Sequence, residues 1–166
     1  MQTILVPTDF KLSSLDCIPS LCEQTGGKDL SLIFMHMFKL SDSIGDLLML
    51  SRRSKEYEHV SDEFYQQCEA LKAKFPQIKS LKIDFFYGNT LIMFRNYLEA
   101  HCINEVLDLN LCSTGILNKS SLDPAMLIKK CGLNTLKINL MKPMRPVQVT
   151  TSERLEVLEE ELLKEA

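Results

Sequence analysis

The chain lacks the features that would send it to a membrane, to nucleic acid or to disulfide chemistry. No apolar run approaches the roughly 20 residues of a spanning helix, and no basic region precedes an apolar stretch at the N-terminus. The expectation is a cytoplasmic protein with no membrane association. Positive charge is not in excess: the net charge is −3 and the isoelectric point is near 5.6. That argues against a nucleic-acid binder relying on phosphate neutralisation and leaves only a local basic patch open. None of the six cysteines (Cys17, Cys22, Cys68, Cys102, Cys112, Cys131) forms a C-x-x-C pair. Several fall in apolar patterns, so they are expected to be reduced, buried and inert.

Catalytic and metal-binding signatures are missing as well. His36, His59 and His101 are scattered over different elements, with no ligand spacing between them, so no metal is expected. No serine, cysteine or histidine arrangement marks a hydrolase, and the chain is read as a non-enzyme. No internal repeat is visible. At 166 residues, with 45% apolar and 25% charged residues, what remains is one globular domain, with or without a tail.

The apolar pattern lays out that domain. Thr3 to Val6 is a β-branched run ended by Pro7-Thr8-Asp9, a buried strand meeting a turn. A helix follows with Leu15, Ile18, Leu21 and Cys22 on one face. Pro19 in its interior would cost roughly 3 kcal/mol. With Asp16 as N-cap, Pro19 falls in the first turn, where no amide partner is lost. The first helix is therefore predicted to be short or kinked, closed by Gly26-Gly27. Leu30 to Phe38 is a second strand. From Ser43 a helical pattern begins (Ile44, Leu47, Leu48, Leu50) and runs on through Tyr57, Val60, Phe64, Cys68, Leu71 and Phe75, an amphipathic stripe stopped by Pro76. Its aromatics Tyr57, Phe64 and Phe75 are expected in the core.

A third strand spans 80–87, Gly88-Asn89 turn into a helix carrying Leu91, Phe94, Arg95 and Leu98, and a fourth strand spans 105–109. Asp108 interrupts that last run, and an unpaired buried carboxylate is costly. It faces a partner charge, the strand ends early, or it is a functional acid. Residues 110–122 are polar and irregular. Asp123 and Pro124 then cap and start a helix to about Lys130, and 135–140 is a fifth strand. Five strands alternating with helices call for a doubly wound parallel sheet, helices on both faces and right-handed crossovers. In such Rossmann-like folds, sites gather at the carboxyl ends of strands near the switch in strand order. Here that means Asp9, the stretch around His36 and Met37, and the loop after strand four.

Residues 1–140 thus form the α/β domain. Residues 141–166 contain Pro143 and Pro146 in an extended linker, then a capping box at Thr150 and Glu153 for a terminal helix. Leu155, Leu158 and Leu162 give that helix an apolar seam. From Glu153 to Glu165 six acids face two bases. The seam is too short to be stable alone and must dock on its own domain or on a partner chain.

The opening Ile4-Leu5-Val6-Pro7-Thr8-Asp9-Phe10 resembles the first strand and turn of the universal stress protein family. The resemblance continues over about 140 residues, through a second strand ending in a His36-containing turn, a long helix, Gly88 after strand three and the closing βαβ unit. It implies a fold of the adenine nucleotide alpha hydrolase-like type, in which ATP-binding members lay nucleotide across the carboxyl edge of the sheet. By the same resemblance the adenosine side corresponds to Pro7, Thr8, Asp9 and Met37. The family holds the phosphates after strand four with G-x2-G-x9-G-[ST], where bare backbone approaches the anion. The equivalent positions here are Asn110, Ser113, Asp123 and Pro124, so every expected glycine is gone. Gly115 survives at the wrong spacing. At ~4 Å Asp123 would repel a phosphate charge by roughly 1 to 4 kcal/mol. The resemblance thus leads to a module without ordinary ATP binding and without a cofactor, acting by protein contact.

The alternative is a nucleotide-binding regulator that recognises AMP or ATP through the Asp9 side. Asp9 itself either holds a ribose or adenine, or caps backbone amides, and the two roles are compatible. Ser113, Thr114, Lys119, Ser120 and Ser121 either bind one small anion or form a solvated loop. Family dimers often pair through strand five. Leu136, Ile138 and Leu140 here alternate with Lys137 and Asn139, and an edge lysine discourages strand pairing. A homodimer is expected, with the strand-five edge and the terminal helix as rival contact surfaces.

Overall fold

The computed structural model of the chain describes residues 1–39, 57–117 and 119–138. The strands are β1 (Gln2–Pro7), β2 (Leu30–Phe38), β3 (Ile78–Tyr87), β4 (Glu105–Leu107) and β5 (Asn134–Leu136). The helices, among the described residues, are α1 (Ile18–Gln24), α2 (Asp62–Lys74), α3 (Leu91–Ala100) and α4 (Ala125–Lys130). All strand pairs are parallel, and the sheet order is β3-β2-β1-β4-β5. The order reverses between β1 and β4, so the crevice of a doubly wound sheet opens at their carboxyl ends.

Alternation along the strands builds two cores, because successive side chains point to opposite faces. Ile4, Val6, Leu32 and Phe34 face α1 and α2, where Ile18, Leu21, Phe64 and Cys68 meet them. Leu5, Ile33, Met35 and Met37 face α3 and α4, against Phe94, Leu98, Leu127 and Ile128. The first side is rich in aromatics: Phe64 stands edge-on to both Phe10 and Phe34, at 5.6 and 5.7 Å between ring centres. Such pairs add about 0.5–1.5 kcal/mol beyond the area they bury.

Several expectations hold in detail. The first helix is short, with Pro19 in its first turn, after a separate 3-10 turn at Leu12–Leu15. Its N-cap is Cys17 rather than Asp16. Leu15, Ile18, Leu21 and Cys22 are all buried. Helix α3 is held to β3 by Tyr97, whose hydroxyl donates to Asp84 at 2.8 Å. Strand β4 ends early, as one reading of Asp108 required. Its carboxylate accepts from the Asn110 amide at 3.1 Å, capping a 3-10 turn at Leu109–Leu111.

Others need correction. The apolar stripe from Tyr57 to Phe75 is not one helix, because Ser61 is extended and starts α2 by accepting from the Phe64 amide at 3.2 Å. A local side-chain bond at an N-cap outweighs continuity of the pattern. Tyr57 lies outside the core at 40% exposure, its hydroxyl donating to the Ile83 carbonyl. Cys102 is exposed rather than buried. His36 lies inside β2 rather than in a turn after it. The stretch 43–50, residues 139 and 140 of the fifth strand, the linker and the terminal helix lie outside the described residues.

Candidate functional site

At the carboxyl end of β1 the chain turns sharply. Pro7 closes the strand, and the amide of Thr8 still donates to the Met35 carbonyl of β2 at 2.9 Å. The Thr8 hydroxyl accepts from the Phe10 amide and donates to Ser14. Phe10 takes a left-handed φ of 61°, uncommon for a bulky residue, and its ring is 4% exposed. The strain is balanced by burying that ring against Phe64 and Phe85. The turn also points the carboxylate of Asp9 inward, where only 3% of the residue is exposed.

The loop after β4 comes back onto this carboxylate. Asp9 Oδ2 accepts from the Ser113 hydroxyl at 2.8 Å and the Gly115 amide at 2.9 Å. Oδ1 accepts from the Lys11 amide at 3.1 Å, and the Lys11 ammonium stands 3.7 Å from Oδ2. The Asp9 amide in turn donates to the Ser113 carbonyl at 2.8 Å. Burial alone would raise the Asp9 carboxyl. The bonds from Ser113, Lys11 and Gly115, with the Lys11 charge, outweigh it and hold the group below its ordinary value. Gly115 sits so close that a Cβ there would lie 2.8 Å from Oδ2.

The same loop then pairs with β2. Ser121 makes an antiparallel bridge to Phe38. The Leu122 amide donates to the Met37 carbonyl at 2.9 Å, and the Lys39 amide donates to the Ser120 carbonyl at 2.7 Å. Beneath this bridge lies His36, 4% exposed. Its Nδ1 is 2.7 Å from the Thr8 carbonyl, which can only accept, so Nδ1 carries a proton. Nε2 lies 2.8 Å from the Ser121 hydroxyl, which itself accepts from the Leu117 amide at 2.9 Å.

Of the predicted site residues, the fold gathers Pro7, Thr8, Asp9 and Ser113, and brings Met37 to the same edge through its backbone. The Met37 side chain is 2% exposed and faces the α3–α4 core. Asn110 and Asp123 serve local turns instead: Asp123 accepts from the Ala125 amide at 3.0 Å, at the start of α4. Pro124 is that helix's N-cap residue. Ser120 and Ser121 are partly exposed and ordered by backbone pairing to β2, while Thr114 and Lys119 are exposed. Gly115 and the His36–Ser121 pair were not anticipated as contacts. Their partners lie 106 and 85 positions away, and no local pattern signals such distances.

Among the described residues no group of three His, Cys, Asp or Glu could hold a metal ion, and no helix is long and apolar enough to cross a membrane. Burial pushes the thiols of Cys17 and Cys22 up to about 11 and that of Cys68 up to about 12.

No family sequence model and no curated protein matches the chain. Among solved structures, universal stress protein UspA from Lactobacillus plantarum is similar, with a TM-score of 0.51, 16% identity, and coverage of 83% of this chain and 97% of that one. A universal stress protein in complex with cAMP is similar at a TM-score of 0.45 and 14% identity, over 84% and 98% of the two chains. A universal stress protein family protein from Arabidopsis thaliana with AMP bound is similar at 0.43 and 11%, over 83% and 91%. With its five parallel strands in the order β3-β2-β1-β4-β5 and helices on both faces, the chain has the universal stress protein fold.

Proposed function

We propose that this chain is a non-enzymatic stress-response or signalling module that does not hold ATP in the family's usual way and works through protein–protein contact. One observation carries the reading: the polar groups at the carboxyl edge of β1 and β2 are engaged by the chain's own residues 113–122. Asp9 Oδ2 already receives two donors, and the Met37 carbonyl receives the Leu122 amide. A nucleoside arriving here would have to displace bonds to a charged acceptor, each worth about 1.5–3 kcal/mol. At the start of α4, Asp123 takes the Ala125 amide and sets a carboxylate where a phosphate would need a donor.

A thermal-shift titration with ATP, ADP and AMP tests the reading, beside a variant with the glycine pattern restored (Asn110→Gly, Ser113→Gly, Asp123→Gly, Pro124→Ser). A binder's melting temperature climbs with ligand concentration. The native chain is expected to show no response to ATP, and a sub-millimolar affinity for it would overturn the proposal. A response to AMP abolished by Asp9→Ala would favour the alternative, a regulator reading nucleotide through the Asp9 side. Homodimer formation belongs to the same proposal, and sedimentation of the native chain over a range of concentrations checks it.

A further inference from the structure

On the far side of the sheet from the aromatic core, the C-terminal half of α3, residues 102–104 and the chain just after α4 leave a groove of about 470 Å³ at the amino edge of the sheet, floored by Leu98, Ile103 and Leu133 and reaching Cys102. Arg95 spans it, donating to the Lys130 carbonyl at 3.2 Å. Ile92, Arg95 and Glu99 are spaced by three and four on α3 and so share one face. At the carboxyl edge of the sheet, the first turns of the two helices present Ile92, 72% exposed, and Met126, 66% exposed. Arg95 and Glu99 line the groove, and the exposed Lys129 and Lys130 at the end of α4 beside it make its surroundings basic.

We propose that residues 153–165 of this same chain are the occupant of that groove. Leu155, Leu158 and Leu162 have the three-and-four spacing with which an amphipathic helix fills such a trough. The six glutamates of the segment against two bases complement the basic surroundings. The described chain ends at buried Ile138, just past β5 at the carboxyl edge, so the linker has to run back along the domain to the groove at the amino edge. Residues 139–152, extended, reach about 46 Å, ample for a domain whose radius of gyration is about 14 Å. On the protein-contact reading above, the docked segment competes with outside partners for the groove, but the docking itself does not rest on that reading.

Cys102 is an exposed thiol in the groove and reports its cover. A contact of roughly 100 μM affinity closes about nine-tenths of the molecules at the millimolar effective concentration of a tethered segment, which slows alkylation about tenfold. Iodoacetamide modification of Cys102 is followed by peptide mass spectrometry in the full-length chain, in Leu155→Asp/Leu158→Asp/Leu162→Asp, and in Arg95→Glu, which reverses the charge of a groove residue. Both variants should be modified about tenfold faster than the native chain. Protection should weaken with added salt and be independent of protein concentration. Buried Cys17, Cys22 and Cys68 should stay unmodified throughout, which reports an intact fold. Equal Cys102 rates in the native chain and the leucine variant would overturn the proposal. Protection that grows with protein concentration would also overturn it, assigning the groove to a second copy. Neither result depends on whether nucleotide binds, so the two proposals fail separately.

Discussion

The carboxyl edge of β1 and β2 and the groove beside the end of α3 lie at opposite edges of the sheet, and they end in opposite states. At the edge, Ser113 and Gly115 are tied down by bonds to the buried Asp9 carboxylate, and Ser120, Ser121 and Leu122 by His36 beneath them and by backbone pairing to β2. In the groove, apolar Leu98, Ile103 and Leu133 lie beside Arg95 and Glu99, and Ile92 and Met126 stand exposed in the first turns of the two helices. The difference lies in what each region has to satisfy. A buried carboxylate must find donors, so the edge closes on itself through polar bonds. Apolar groups need no hydrogen-bond donors, so the described residues leave the groove to be covered by another segment, as proposed above. Substitutions should therefore be costly at the edge and cheap on the nearby surface.

The largest effect is expected from Asp9→Ala, which leaves the Gly115 amide, the Ser113 hydroxyl and the Lys11 amide without their acceptor. Hydrogen bonds to a charged group carry most of the stabilisation at such a site. A loss of about 3 kcal/mol in urea unfolding is expected. The pH dependence gives a second arm. The folded Asp9 carboxyl lies below its ordinary value of 3.8, so its stabilisation is complete above that value and fades as pH falls through the lower folded value. The gap between native and variant stability should thus narrow only below about pH 4. A gap unchanged down to strongly acid pH would mean that the charge of Asp9 does not hold the loop. Gly115→Ala comes next, at about 1–3 kcal/mol, because its Cβ would meet Asp9 Oδ2 at 2.8 Å. Were that variant as stable as the native chain, the close approach could not be what fixes the loop.

The same contrast explains what could be read in advance. The β1 and β2 strands were legible because they are uninterrupted apolar runs bounded by Pro7 and by Gly26-Gly27, and burial on both faces leaves such runs no second interpretation. Pro19 in a first turn followed from backbone chemistry local to that residue, whereas the end of β4 at Asp108 was one of three readings its carboxylate allowed. Asp9 was legible as a residue of consequence, but not which groups it would bind. That depends on a loop 104 positions away through Ser113, whose course no periodicity encodes. The stripe from Tyr57 to Phe75 misled for a related reason: its spacing is helical throughout, yet Ser61 offers an N-cap and the chain starts a new helix there. Gly115, set aside for its spacing in a nucleotide motif, matters for another reason, its close approach to Asp9.

Two smaller effects sharpen the comparison inside the closing loop itself. Ser121→Ala removes the hydroxyl that links His36 Nε2 to the Leu117 amide, but the backbone pairing of Ser120 and Leu122 to β2 remains. About 1 kcal/mol is expected, and a loss several times larger would mean that the histidine, not the strand-like bridge, holds the loop down. Ile116→Ser should be nearly silent, within about 0.5 kcal/mol. Its side chain is 81% exposed, although its neighbour Gly115 is pressed against Asp9. Chemical denaturation of the two adjacent variants, Gly115→Ala and Ile116→Ser, therefore asks whether the closure resides in single atoms or in the loop as a whole. If Ile116→Ser proved as damaging as its neighbour, the exposed side of the loop would be packed against something further, and the division between a sealed edge and a tolerant surface would fail at its narrowest point.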